Sequence, residues 1–189
     1  MSDWLDVVGS IVIGGIVILI LTNVNISISA AATDNLYAGV MQRGLTSAAD
    51  LIEHDFYKVG YRNPGSNIVI ADSNGIKFFA DIDNDGVPDE INYFRSNAES
   101  FAETSNPNDY LVKREKNNEI PATSIPVVDF KFTYYDSLGQ KIDYALLSSQ
   151  PERDKIKTLR IRIKCESADM INDNYEAVEW EKTIKPKNI

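Results

Sequence analysis

An apolar segment near the start of the chain limits what the rest can fold into. From Val7 to Leu21 the sequence has fifteen residues without a charge, interrupted only by glycines and one serine. As an α-helix rising about 1.5 Å per residue, this run falls slightly short of the roughly 30 Å hydrocarbon core of a bilayer. Residues 26–32 extend it to a spanning length, with Asn23 and Asn25 inside the extended stretch. We therefore predict an apolar helix over residues 1–32 that needs lipid or other protein around it.

The charges near this helix leave three interpretations open. The first basic residue is Arg43 and the only early charges are Asp3 and Asp6, whereas secretory signals carry a basic n-region. One interpretation is a cleaved signal peptide, for which residues 30–32 offer a small-residue cleavage site. Another is an ordinary membrane anchor whose two aspartates stay in the headgroup zone. The third is a helix that is membrane-bound at first and later packs against copies of itself in a filament core. The remainder of the chain favours the third.

Residues 33–60 are predicted to continue as an amphipathic helix. The segment lacks proline from Asp34 onward, and Gly60 followed by Asn63-Pro64-Gly65 is predicted to end the helix. Weak helix formers between Gly15 and Ser29 leave a locally unwound stretch open as an alternative to one continuous helix. Apolar residues at i, i+3 and i+4 spacing form one stripe that should face a sheet: Leu45, Ala48, Ala49, Ile52, Phe56 and Val59.

Residues 61–189 are predicted to form an antiparallel β head domain, which makes the chain α+β. A hairpin joins NIVIA to GIKFFA, with Asn74-Gly75 expected to supply positive φ angles. A helical turn is expected around Ala98–Glu103. Alternation in TLRIRIKCE places Leu159, Ile161, Ile163 and Cys165 on the buried face. The further predicted strands are EINYFR, DYLVKRE, VVDFKFTYYD, KIDYALL and YEAVEWEKTI.

The motif DIDNDGVPDE, residues 81–90, predicts a calcium site at a hairpin. Alternate carboxylates on a tight loop converge on one point, and Gly86 permits the turn. Position 12 is Asn92 rather than glutamate and no helices flank the loop, so this is not an EF-hand. Glu90 and Asn92 remain open as further ligands, and a solvated acidic turn remains the alternative. The predicted Ca²⁺ ligands are the side chains of Asp81, Asp83, Asp85 and Asp89 with the carbonyl of Val87.

Composition argues against several classes of function. The net charge is −9, whereas binding to nucleic acid needs clustered basic residues. The single histidine, His54, and the single cysteine, Cys165, allow neither a Cys/His pair nor an internal disulfide. No catalytic constellation or phosphate-binding loop appears. We therefore expect no enzymatic activity and no small-molecule substrate.

Several blocks, taken in order, carry a resemblance to a known family. The apolar helix continues into an amphipathic stretch ending near LIEHDFYKVGY, and IKFFADIDNDGVPDEINYFR, IPVVDFKFTYYDSLG, TLRIRIKCE and WEKTIKPKN follow. In this order they resemble the type IV pilin-like superfamily, and within it the larger minor pilins and J-type pseudopilins. The resemblance covers most of the chain and implies filaments assembled through N-terminal helices, with the heads outside. The family's leader motif, ending in Gly before Phe-Thr-Leu-x-x-Glu, is not matched, because Leu5 stands at the fifth position.

Together, these observations predict a structural subunit of an extracellular type IV pilus-like filament. Its partner is a second copy of itself, contacted through residues 1–32, and it is anchored in the inner membrane before assembly at the cell surface. The alternatives are a membrane-anchored pseudopilin of a secretion machine and a monomeric anchored calcium-binding adhesin. Whether the chain is a major or a minor subunit stays open.

Overall fold

A computed structural model describes residues 2–96, 104, 106–119, 123–170 and 173–189. The chain divides into two compact units, Met1–Val40 and Met41–Ile189. Helix α1 (Ser2–Tyr57) begins in the first unit and ends in the second. The structure is α+β, a long apolar N-terminal helix followed by antiparallel sheets, as predicted.

The first unit is helical throughout its described residues. From Gly15 to Ser29 the helix is continuous, so the locally unwound alternative is not what the structure adopts. Weak propensities cost less than about 0.7 kcal/mol per residue, which continuous backbone hydrogen bonding outweighs. In addition, the hydroxyls of Thr22 and Ser27 donate to the carbonyls four residues earlier at 2.9 Å. These side chains therefore satisfy themselves within the helix.

The second unit begins with the last turns of α1, which carry the predicted apolar stripe except for Val59, two residues beyond the helix. All six stripe residues are buried, and Ile52, Phe56 and Val59 are fully so. The helix ends at Tyr57, three residues earlier than Gly60, which has the positive φ of 77° typical of a helix terminator. The stripe prediction is therefore confirmed.

The strands form two sheets where the sequence suggested one. The larger is an antiparallel meander in the order β1-β2-β3-β4-β5, and the smaller has the order β6-β7-β8. The chain passes from one to the other at Val128, between β5 and β6, and its N–H bonds the Lys164 carbonyl of the smaller sheet at 2.8 Å. The bounds are β1 Ile68–Ala71, β2 Gly75–Ala80, β3 Asp89–Arg95, β4 Tyr110–Lys116, β5 Thr123–Val127, β6 Asp129–Tyr135, β7 Thr158–Glu166 and β8 Ala177–Ile184.

The predicted alternation in the smaller sheet is confirmed. On β7 the apolar side chains at 159, 161, 163 and 165 are buried, and the intervening basic residues face outward. On β6, Phe130, Phe132 and Tyr134 are fully buried on one face. Both strands thus present one apolar face to a common core.

Two local predictions were wrong, in each case because tertiary or side-chain bonds outweighed a local pattern. Neither Asn74 nor Gly75 has a positive φ. Instead, β6 fixes this turn: the Phe132 N–H donates to the Ser73 carbonyl and the Tyr134 hydroxyl to the Asp72 carbonyl.

The segment KIDYALL is not a strand. Lys141 makes a single bridge to Tyr135, and the chain then forms a 3₁₀ helix (Leu146–Ser148) and a short helix α2 (Gln150–Arg153). The Asp143 carboxylate accepts the Ala145 N–H at 3.0 Å, which turns the backbone away from an extended path. The expected helical turn at Ala98–Glu103 lies outside the described residues.

One aromatic side chain of the helix contacts both sheets. The Phe56 ring lies 5.1 Å from that of Phe78 and 5.4 Å from that of Tyr93 in the larger sheet. It also lies 5.6 Å from the ring of Phe132 in the smaller sheet. Because these rings are all fully buried, Phe56 stands at the centre of the head core.

A buried carboxylate ties the same helical turn to the larger sheet. Asp55 is fully buried, and its Oδ2 accepts bonds from the Tyr93 hydroxyl at 2.8 Å and from Arg114 Nε at 2.6 Å. His54 Nδ1 lies 3.3 Å from the other oxygen. Burial opposes the charge of Arg114, but its hydrogen bond with Asp55 and the attraction of that carboxylate together outweigh burial and raise the pKa of Arg114. The guanidinium therefore stays charged in this buried pair.

Cavity-forming substitutions test the stripe. Ile52→Ala and Phe56→Ala should each lower the free energy of unfolding of the head by about 2–5 kcal/mol, because each leaves a void in a packed core. Denaturant unfolding of the full chain in detergent, followed by near-UV circular dichroism, measures this. Tyr57→Ala is the matched control, since that ring is 46% exposed and its loss should cost no more than about 0.5 kcal/mol. Unchanged stability in both core variants would show that the stripe is not core.

The buried ion pair gives a second prediction. Arg114→Met should destabilise the head by about 3–5 kcal/mol, because it leaves the Asp55 charge buried without its cation. Lys113→Met removes the same charge from the opposite face of β4 and should be nearly neutral. Adding Asp55→Leu to Arg114→Met should cost less than the sum of the single changes; strict additivity would mean that the two groups do not act as a pair.

Candidate metal centre

The acidic loop connects β2 to β3 and is closed by the antiparallel pair Ala80–Asp89. Carboxylate oxygens of Asp81, Asp83 and Asp85 lie within 4.8 Å of one another. Two residues with positive φ bend the loop, Asn84 with φ 64° and Gly86 with φ 92°. The structure therefore brings together three of the four predicted carboxylate ligands.

Asp81 is the buried member of this cluster. Its Oδ2 accepts the Gly86 N–H and Arg62 Nη1, both at 3.0 Å. Its Oδ1 is buried without a hydrogen-bond partner among the described residues. Burial opposes its ionisation, but the hydrogen bonds from Arg62 and the Gly86 backbone outweigh this and lower its pKa. A buried carboxylate oxygen without a hydrogen-bond partner is costly, so this atom is available as a ligand for a cation.

Asp83 and Asp85 complete the cluster from the exposed side of the loop. The Asp85 N–H donates to Asp83 Oδ1 at 3.3 Å, and the Val87 N–H donates to Asp85 Oδ1 at 2.8 Å. These bonds between each carboxylate and the N–H two residues later fix the orientation of the Asp83 and Asp85 side chains. The Val87 side chain is 64% exposed. A hydrogen bond from Lys116 is the main cause of the lowered pKa of Asp83.

Asp89 and the two residues left open as further ligands make other contacts. Asp89 lies outside the three-residue cluster: it accepts the Ile82 N–H at 3.3 Å and Asn117 Nδ2 at 2.8 Å. Glu90 pairs with Lys77 at 2.9 Å, and Asn92 donates to Glu115 at 3.1 Å. Asp89 therefore braces the base of the loop. The two residues left open as extra ligands are bound to neighbouring strands.

Three basic residues that the motif did not reveal surround the loop. Arg62 bonds Asp81, and Lys58 at the end of α1 donates to the Ile82 carbonyl. Lys116 Nζ lies 2.7 Å from Asp83 Oδ2 and 3.2 Å from Asp89 Oδ1. The pairing of β3 with β4 brings Lys116 here, so its partners depend on strand register and not on the loop sequence.

The donor set suits a hard divalent cation. The three clustered side chains offer oxygen atoms alone, which suit Ca²⁺, Mg²⁺ and Mn²⁺ better than copper or zinc. Ca²⁺ accepts six to eight oxygens in flexible geometry, whereas Mg²⁺ requires nearly ideal octahedral geometry and keeps several waters. Bound there, a divalent ion would offset two of the three negative charges of Asp81, Asp83 and Asp85.

Neither the lone histidine nor the lone cysteine belongs to this centre. His54 contacts Asp55, and its ring is 53% exposed. Cys165 is buried on β7, and burial raises the pKa of its thiol to about 11. A thiol of that kind is protonated at neutral pH and unreactive.

Comparisons with known proteins add nothing to this geometry: no protein-family model, no curated protein and no solved structure matches the chain. Its architecture, a long apolar N-terminal helix followed by antiparallel sheets, is pilin-like.

Proposed function

We propose that this chain is a structural subunit of an extracellular, type IV pilus-like filament. It is held in a membrane by its N-terminal helix before assembly, and polymerises through that helix afterwards. A Ca²⁺ ion in the loop of Asp81, Asp83 and Asp85 stabilises the head. The observation that carries the proposal is an apolar helix whose large side chains are exposed along residues 4–40.

The exposed apolar surface of the first unit is continuous around the helix. Among the described residues this is the one helix long and apolar enough to cross a membrane, and none of its apolar window is buried. Large side chains along it remain about half to three-quarters exposed, from Trp4 at 78% to Val40 at 62%. Such a surface is stable only in lipid or against other protein.

Four hydroxyl side chains of the helix suit an apolar environment. The hydroxyls of Ser10, Thr22, Ser27 and Thr33 each donate to the carbonyl four residues earlier. They therefore need no water when lipid or neighbouring helices surround them. An ideal Cβ at Gly9, Gly14 or Gly15 would meet nothing within 4 Å, so these positions offer close approach to a second helix.

The calcium part of the proposal predicts a metal-dependent stability. At calcium a hundredfold above Kd, binding to the folded state adds about 2.7 kcal/mol. EDTA should therefore lower the melting temperature of the full chain in detergent, and Asp83→Ala with Asp85→Ala should abolish that difference. Asp136→Ala, in the turn after β6, is a control that should leave the calcium response intact. A wild-type chain whose melting is indifferent to millimolar calcium would reduce the motif to a solvated turn.

The filament part predicts that assembly depends on the exposed face of the helix. Replacing Val12, Ile16 and Ile18 together with serine should give a folded head that no longer forms fibres, because it removes apolar contact area. The matched control replaces the same residues with Ile, Val and Val. Negative-stain electron microscopy of sheared material measures assembly.

The outcome also separates the alternatives. Fibres of unchanged diameter and symmetry in the serine variant would mean that the heads polymerise. A wild-type chain that stays in the membrane and forms no fibre would favour an anchored pseudopilin or adhesin.

A further inference from the structure

We propose that Lys116 is a built-in counter-ion of the acidic loop, which competes with the divalent cation and sets its affinity. This inference rests on the proposed metal site, and it concerns a residue that the loop motif does not contain. The loop then has two states. In one, the Lys116 ammonium offsets part of its negative charge, and in the other a metal ion does so.

The position of Lys116 is fixed by the sheet. It is the last residue of β4 and pairs with Ile91 of β3, the strand that the loop leads into. The next residue, Asn117, fastens this end of the strand: its N–H donates to the Glu90 carbonyl and its side chain accepts the Glu90 N–H, both at 2.8 Å. The backbone of Lys116 therefore cannot drift away from the loop.

The ammonium bridges two carboxylates. It lies 2.7 Å from Asp83 Oδ2, which belongs to the metal cluster, and 3.2 Å from Asp89 Oδ1 at the base of the loop. The other cations near the loop bind differently, since Arg62 bonds Asp81 alone and Lys58 bonds a carbonyl and the Asn84 amide. Lys116 thus pairs with Asp83, one of the two exposed carboxylates that a metal ion in the loop would bind.

The side chain has room to leave. Lys116 is 29% exposed and Asp83 is 49% exposed, and lysine carries its charge on a flexible four-carbon stem. A metal ion that binds Asp83 must break the hydrogen bond between Lys116 and Asp83. The positive charge of the ion would then lie close to the positive charge of Lys116, which repels it. Without metal, the same ammonium relieves repulsion among the clustered carboxylates. One residue therefore stabilises the metal-free loop and weakens the metal-bound one.

Removing the charge of Lys116 should change metal-free stability and calcium affinity in opposite directions. A lysine with only a structural role would not raise calcium affinity when it is replaced. Lys116→Met should lower the melting temperature of the metal-free chain and bind Ca²⁺ about three- to tenfold more tightly, as expected for loss of a partly exposed charged hydrogen bond. The melting shift caused by calcium should increase accordingly. Lys116→Arg keeps the charge and should bind close to the wild-type value.

The test is titration of the full chain in detergent micelles with CaCl₂ by isothermal calorimetry, alongside thermal unfolding with and without EDTA. Lys182→Met is the control, because it removes the same charge from a pair with Glu53 on α1. Far-UV circular dichroism checks folding, and Lys116→Gln serves as a second variant should Lys116→Met fail to fold.

The outcomes separate this inference from the site it rests on. Tighter binding by the Lys116 variants but not by Lys182→Met supports competition, and binding seen only after Lys116 is replaced supports it in its strongest form. Wild-type binding that Lys116→Met and Lys116→Gln leave unchanged or weaken overturns the inference and leaves the metal site standing. Calcium binding by no variant at all overturns both.

Discussion

The exposed apolar surface of α1 is the constraint on which the account of this protein depends. Residues 4–40 carry large apolar side chains on every side, and among the described residues these side chains are exposed. Four hydroxyls of this segment bond the helix backbone and are therefore suited to an apolar environment. In the proposed filament, lipid would cover this surface first and copies of the same helix later, which would give anchoring and assembly one physical basis.

The head is built around the other end of the same helix. Phe56 contacts aromatic rings of both sheets, and one residue earlier Asp55 joins Tyr93 and Arg114 in a buried network. The acidic loop lies close to this region, because Lys58 and Arg62, just beyond the end of α1, bond the loop directly. In the proposed site, offsetting the charge of the loop, by Lys116 or by a metal ion, would therefore act close to the end of α1.

The sequence predicted burial correctly in elements where apolar residues repeat with the helical or strand period and one face packs against the core. The helix stripe ending at Val59 and the alternation on β7 are periodic, and burial follows the period in both. It failed where distant contacts decided the outcome. The chain passes from one sheet to the other at a single residue, Val128, and the turn at Asn74-Gly75 is set by bonds from β6. Within the candidate site the motif identified Asp81, Asp83 and Asp85, but the register of β3 with β4 brings in Lys116, which local spacing does not encode.

The most direct test of the central claim is the structure of filaments sheared from cells that produce this chain, determined by helical cryo-electron microscopy. The account predicts a core of packed helices formed by residues 4–40, with the two-sheet heads on the outside of the fibre. A fibre held together by head-to-head contacts, with these helices outside its core, would contradict the account.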